Sequence, residues 1–262
     1  MTDRYARFRA LHHAAEPLLL PNAWDYASAA ALVDAGFAAI ATTSLGVAAA
    51  AGKPDAHGAT LPENLALATA AARLPCLLSV DIEAGFGADP AGVAAVVERL
   101  AEVGVVGVNV EDGRPDGTLA DPSPQADTIR AIKSRVPDLF VNARTDAYWL
   151  RVDRPLPEAL SRTEVFAGAG ADGVFVPGIA ADEDISALVA HAPVPVNVLF
   201  IAGRHTLPGL AALGVHRVSL GSLLFRAALH ATVQAARDIA DGRPITAGLP
   251  SYGDVVSLIG GG

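Results

Sequence analysis

The chain has 262 residues, of which 52% are hydrophobic and 18% charged, with a net charge of -9 and a single cysteine, Cys76. That composition excludes a disordered chain, the negative charge argues against nucleic acid or an anionic membrane as the main partner, and one cysteine excludes an internal disulfide. No run of about 18 apolar residues predicts a membrane span, and the start MTDRYARFRA lacks an apolar h-region, so the expectation is a cytoplasmic protein acting on a small molecule.

Along the chain, short apolar runs alternate with Ala- and Leu-rich stretches of helical character. Strands are predicted at 17–23, 37–44, 75–81, 106–112, 139–145, 172–178, 194–200 and 216–221. Helices are predicted after them, at 24–35, 62–73, 90–103, 123–135, 156–169, 182–191, 206–213 and 222–240. Asp89-Pro90 and Ser123-Pro124 read as an N-cap followed by a first helical proline, and Gly36, Gly104, Gly170 and Gly214 as helix ends. Eight strands, each nearly continuous in hydrophobicity and each followed by a helix, predict a closed (β/α)8 TIM barrel spanning 1–262 as one domain, with a C-terminal arm over 236–262. An open doubly wound sheet ranks second, because no GxGxxG follows the first strand. The connection 45–60, LGVAAAAGKPDAHGAT, is long for a βα loop and reads as a lid.

Barrel active sites form at the C-terminal ends of the strands. Those ends carry Asn22 and Asp25, then Thr42, Thr43 and Ser44, then Asp81 and Glu83, then Asn109, Glu111 and Asp112, then Asn142, Arg144, Thr145 and Asp146. The last three runs end in Pro177-Gly178, Asn197 and Gly221-Ser222. Side chains two apart on a strand face together, so Asp81 and Glu83 are expected on one face with Glu111 beside them. Three carboxylates that close repel unless a cation joins them, and Mg2+ suits an all-oxygen set better than zinc. The competing structural reading has Asp81 capping the following turn, with Glu83 and Glu111 facing solvent or pairing with Arg144. Gly221-Ser222 also resembles a phosphate-binding helix start, against which stands simple close packing. The histidines are assigned surface or packing roles, with His57 set apart because it lies two residues beyond Asp55 on the lid.

PNAWD at 21–25, TTSLGVA at 42–48, GKPD at 52–55, SVDIEAGFG at 79–87, NVEDG at 109–113 and NARTDAY at 142–148 together resemble the isocitrate lyase/phosphoenolpyruvate mutase superfamily. The resemblance implies a barrel whose last helix swaps between subunits of a homotetramer or homodimer. It also implies Mg2+, with Mn2+ as a substitute, bound by Asp81, with Glu83 and Glu111 contacting its waters. Arg144 would hold the substrate carboxylate or enolate oxygen, and Thr43, Ser44 and Leu45, with Asn197, would complete substrate binding. Asp55 matches a catalytic aspartate on a mobile loop. The chain departs from the lyases in lacking their Cys motif after Glu111, where GRPDGTLADP stands, and in carrying Gly178 and Leu199-Phe200 where they carry polar groups. It departs from the phosphonopyruvate enzymes at Pro177 and in lacking their loop Lys and Asn. The implied activity is a Mg2+-dependent C–C lyase acting on a small 2-oxo or 2-hydroxy acid. The alternatives are a phosphonomutase or phosphonate hydrolase with Asp55 as nucleophile, and a non-catalytic oxo-acid-binding barrel.

Overall fold

Pro21 has no N–H to give to a ladder, and the first predicted strand breaks there into β1 (Leu18–Leu20) and β2 (Asn22–Ala23). The break is where the barrel closes. β1 pairs with β9 (Arg217–Ser219), β2 pairs with β3 (Ala39–Thr42), and the Pro21 carbonyl still accepts the Ala41 N–H at 2.9 Å. Between them run β4 (Leu77–Asp81), β5 (Gly107–Glu111), β6 (Phe140–Arg144), β7 (Gly173–Val176) and β8 (Val196–Leu199), every neighbouring pair parallel. The computed structural model describes residues 2–87, 89–245 and 248–260. Among them the eight predicted strands form a (β/α)8 TIM barrel, with the first strand in two pieces.

The predicted helices appear as α2 (Tyr26–Asp34), α4 (Leu61–Ala71), α5 (Pro90–Glu102), α6 (Pro122–Arg135), α7 (Pro155–Gly168), α8 (Asp182–His191), α9 (Leu207–Ala212) and α10 (Leu223–Ala240). One cap shifts. The Asp121 carboxylate accepts the Ser123 N–H at 2.9 Å, so Asp121-Pro122, not Ser123-Pro124, opens α6. Three further helices were not expected: α1 (Thr2–Leu11), α3 (Ser44–Ala50) and α11 (Tyr252–Gly260). α3 takes the first part of the predicted 45–60 lid, leaving 51–60 as the irregular segment. Of the predicted C-terminal arm, Thr246, Ala247, Gly261 and Gly262 lie outside the described residues, as do Met1 and Ala88. α10 has an amphipathic sequence but buries none of its residues, and it exposes Leu229, Val233 and Ile239.

Outward-facing Leu78, Val80, Val108, Val110 and Val141 pack against Val97 and Leu100 of α5 and Ile129 and Ile132 of α6. Inside the barrel, an apolar plug of Phe8, Leu20, Ala39, Ala41, Leu77 and Phe140 closes the N-terminal end. Above it lies a polar layer. The Asn142 amide donates to Asn109 Oδ1 at 2.8 Å, and the fully buried Arg217 donates to Asn109 Oδ1 and Ser219 Oγ, each at 3.2 Å. Asn197 and Ser219 bond each other. This layer is the floor of the site.

His12, just past α1, stacks on Phe140 with ring centroids 4.0 Å apart, and its Nδ1 lies 2.8 Å from the Phe8 carbonyl. Burial, reinforced by the charge of Arg217, pushes its imidazole down to about 3 from 6.5. Between those values the unfolded chain binds a proton that the folded chain refuses, so this contribution is complete above about pH 6.5 and is lost as the pH falls toward 3. Urea denaturation from pH 7 to pH 4 should show stability falling more steeply in the wild type than in His12→Phe. Parallel slopes would refute the assignment.

Candidate active site at the strand ends

A cavity of about 210 Å3 opens at the C-terminal end of the barrel. Seven of the nine residues given a site role from the sequence line it: Thr43, Ser44, Leu45, Asp55, Asp81, Glu111 and Arg144. Its size suits an acid of a few heavy atoms, since drug-sized ligands occupy about 300–1,000 Å3.

Asp81 closes β4 on the barrel's inner face, and its N–H donates to Thr42 Oγ1 at 2.9 Å. The strand ends there. Glu83 lies in a turn with φ +52°, outside the two-residue alternation on which the shared-face expectation depended. Its carboxylate turns away from the cavity and accepts the Gly58 N–H at 2.8 Å and the Thr60 hydroxyl at 2.6 Å. Among the described residues no three His, Cys, Asp or Glu side chains converge as direct metal ligands, and Glu83 stands behind the pair that borders the cavity. Asp81 and Glu111 remain, both buried and both bordering the cavity. Burial raises the Asp81 pKa against the pull of Arg144. Burial likewise pushes Glu111 up to about 8 against Arg144, with Asp81, Asp146 and Asp55 adding repulsion. Two crowded carboxylates beside a cavity open to water suit Mg2+, which takes one or two protein carboxylates and keeps several waters.

Arg144, at the end of β6, is clamped between Glu111 at 2.6 Å and Asp146 at 2.7 Å. Burial alone disfavours its charged form, but Glu111, Asp146 and Asp81 outweigh that and hold the guanidinium firmly protonated. The sequence reading named Asp146 and Asp112 as strand-end polar groups but gave them no role. Asp112 accepts the Asp146 N–H at 2.8 Å and an Arg162 N–H at 2.9 Å, so a buried ion pair orients the acid that orients Arg144. A Cβ on Gly113 would lie 2.3 Å from Asp146 Oδ2, which requires glycine there. Arg162, on α7, carries no local motif that could have revealed it. The distance of 50 residues from Asp112 is bridged only by the fold.

The rest of the wall includes Trp149, Leu150, Phe175, Pro177 and Leu199, with Arg114 on the loop after β5. Asn197 does not line the cavity: it is buried behind Ser219, which does, and bonds to it. His57 is exposed and directs Nδ1 to the Asp55 carbonyl at 2.6 Å. The Leu220 and Gly221 amides are taken by Asn22 Oδ1 at 3.0 and 2.9 Å, which removes them as phosphate donors.

Replacing Arg162 with Met would leave Asp112 as an uncompensated buried charge. Breaking such a pair costs about 3–5 kcal/mol, so the urea midpoint should fall markedly; a change of under about 1 kcal/mol would show that the pair does not hold this corner.

The family model described as phosphoenolpyruvate phosphomutase matches residues 8–240. An uncharacterized protein of Mycobacterium tuberculosis is 44% identical over 243 residues, covering 93% of this chain and 92% of that protein. The 2-methylisocitrate lyase of Bacillus subtilis is 34% identical over 201 residues, covering 72% of this chain and 65% of its own length. The crystal structure of a phosphonopyruvate hydrolase in complex with oxalate and Mg2+ aligns with a TM-score of 0.86 at 26% identity, over all of this chain and 96% of that one. Since the family model covers the barrel from α1 into α10, the chain belongs to the phosphoenolpyruvate phosphomutase family, within the isocitrate lyase/phosphoenolpyruvate mutase superfamily.

Proposed function

We propose that this protein is a Mg2+-dependent lyase that breaks a C–C bond of a small 2-oxo or 2-hydroxy carboxylic acid through an enolate-like intermediate. The observation that carries this reading is Arg144, held between Glu111 and Asp146 at the wall of a cavity that also contains Asp81 and Asp55. The likeness to a 2-methylisocitrate lyase supports the bond type, and the likeness to a structure holding oxalate and Mg2+ supports the metal and the small acid.

In this proposal Asp81 would hold the metal, with Glu111 and, from behind, Glu83 contacting its waters; the Glu83 oxygens also accept from the loop and keep lone pairs for that contact. When bound, Mg2+, or Mn2+ in its place, supplies Lewis-acid polarisation of the substrate's C2 oxygen. Thr43 and Ser44, with the Leu45 amide at the start of α3, where helix N–H groups have no partner of their own, hold the substrate carboxylate. Asn197 contributes through Ser219 and not by direct contact. When the C4 carboxylate of an oxo diacid leaves as carbon dioxide, the electrons of the C3–C4 bond move onto the C2 oxygen, where the Arg144 guanidinium meets the developing charge. Asp55 then delivers a proton to C3. For a 2-hydroxy acid, Asp55 takes the hydroxyl proton as the C2–C3 bond breaks and C2 becomes a carbonyl, the bond's electrons pass into the carboxylate on C3 as an enolate, and Asp55 returns the proton to C3. The apolar wall excludes water from the carbanion side.

One observation favours the phosphonomutase or phosphonate hydrolase reading: Arg114 borders the cavity and supplies a cation in the loop where none was recognised from sequence. In that reading Asp55 attacks phosphorus. An oxo-acid-binding barrel without catalysis is the third reading.

The uncovered apolar face of α10 supports a homotetramer or homodimer in which a second copy covers it. The lone Cys76, buried and free, fits a reducing, cytoplasmic setting.

Incubation with a panel of oxo- and hydroxy-diacids should release an oxo acid, read by a coupled dehydrogenase, while phosphorus NMR of phosphonopyruvate should stay unchanged. Arg144→Met should lower kcat/KM by roughly 10²–10³-fold, as removal of an oxyanion donor does. Conversion of the phosphonate alone would transfer the assignment to C–P chemistry, and silence on both with retained oxalate binding would leave the non-catalytic oxo-acid-binding barrel. For the assembly, light scattering should report an oligomer that Leu229→Asp with Val233→Asp dissociates; an oligomer unchanged by both would place the interface elsewhere.

A further inference from the structure

We infer that Glu83 is a latch: its carboxylate fixes the 51–60 segment over the cavity and so sets the position of Asp55, which makes Glu83 a positioning residue.

The segment is irregular, half exposed and poor in large apolar side chains, so no core of its own holds it in place. Most of its hydrogen bonds are local. Lys53 reaches the Ala59 carbonyl at 3.0 Å and Glu63 at 2.5 Å, and Gly52 and Lys53 donate back to Ala49 and Ala48 of α3. Among the described residues, the only hydrogen bonds that tie 51–60 to a strand end are the two received by Glu83, from the Gly58 N–H and the Thr60 hydroxyl. Both carboxylate oxygens are used, one for each donor.

The latch is itself anchored. Glu83 is 1% exposed, its carbonyl accepts the Glu111 N–H at 3.0 Å, and its own N–H points to Asp81 Oδ1 at 3.3 Å. It holds φ +52°, and Phe86 in the same turn holds φ +58°; such left-handed backbone in non-glycine residues persists only where the surroundings impose it. The loop is also pressed against this turn: a Cβ on Gly58 would lie 3.0 Å from the Phe86 Cα and carbonyl carbon. Thr60 is fully buried and is held from the other side by the Asn64 amide, at 3.0 Å from its Oγ1.

Three residues before Gly58, Asp55 borders the cavity with Oδ1 buried and without a partner in the structure. A buried carboxylate oxygen at the cavity wall is available to a ligand there, and it stays there only while the loop does. Reach explains the residue type. An aspartate at 83 would withdraw the carboxylate by about one bond length, roughly 1.5 Å, and could not meet both donors.

The inference depends on the proposed lyase reading only for what Asp55 does chemically, and hydrogen exchange tests it without any turnover. In Thr60→Val, which removes one donor and leaves the carboxylate intact, and in Glu83→Asp, the amides of 55–60 should exchange at least about tenfold faster, as expected for losing a hydrogen bond to a charged group. Exchange in the barrel strands and Mg2+ affinity by calorimetry should stay within about twofold of wild type in Thr60→Val. Turnover, where present, should drop in kcat with little change in oxalate affinity. Wild-type loop exchange in Thr60→Val would overturn the latch. So would a Glu83→Asp protein whose loop exchange is unchanged. If Glu83→Asp fails to fold, Thr60→Val decides alone. Faster loop exchange in a protein that turns over no acid would keep the latch and remove the lyase reading.

Discussion

A guanidinium buried between two carboxylates sets the terms for this protein. Arg144 cannot leave Glu111 and Asp146 without stranding charges that burial has already made costly, so the three groups keep one geometry. That geometry extends through the Asp112 and Arg162 pair into α7 and through Glu111 into the backbone of Glu83. A preorganised cation of this kind stabilises developing negative charge without reorganising during the reaction.

The barrel makes that arrangement possible by separating tasks along its axis. Apolar side chains, with Phe8 from α1, close the N-terminal end. Asn109, Asn142, Asn197, Arg217 and Ser219 fill the middle and satisfy most of one another's polar groups. Ionised groups are confined mainly to the strand ends, where the cavity and a ligand can neutralise them. Arg217 is the exception: burial presses its pKa downward, and the negative charge of Asp81 above it is what favours its charged form.

Across the cavity the wall changes from acids and hydroxyls to Trp149, Leu150, Phe175, Pro177 and Leu199. Charged groups and apolar side chains therefore sit on different parts of the rim. Of the positions at which the sequence departs from the lyases, Leu199 lies on this apolar part, and one scaffold can carry different activities.

The order of strands and helices was legible in the sequence because the strands are buried on both faces and several helices carry a cap, a first-turn proline or a glycine stop. Asp81, Glu111 and Arg144 were legible because parallel strands in register deliver their last residues to one end of the barrel. The reading failed where local periodicity stopped: α3 formed inside an apparent loop, and Glu83 fell one turn past the end of β4, where alternation no longer dictates direction. The sequence by itself determined the fold and the strand ends at which the charges collect. Only the tertiary structure decided which charges meet, joining Glu83 to Thr60 and Asp112 to Arg162, because those distances are closed by the curvature of the barrel and not by any spacing along the chain.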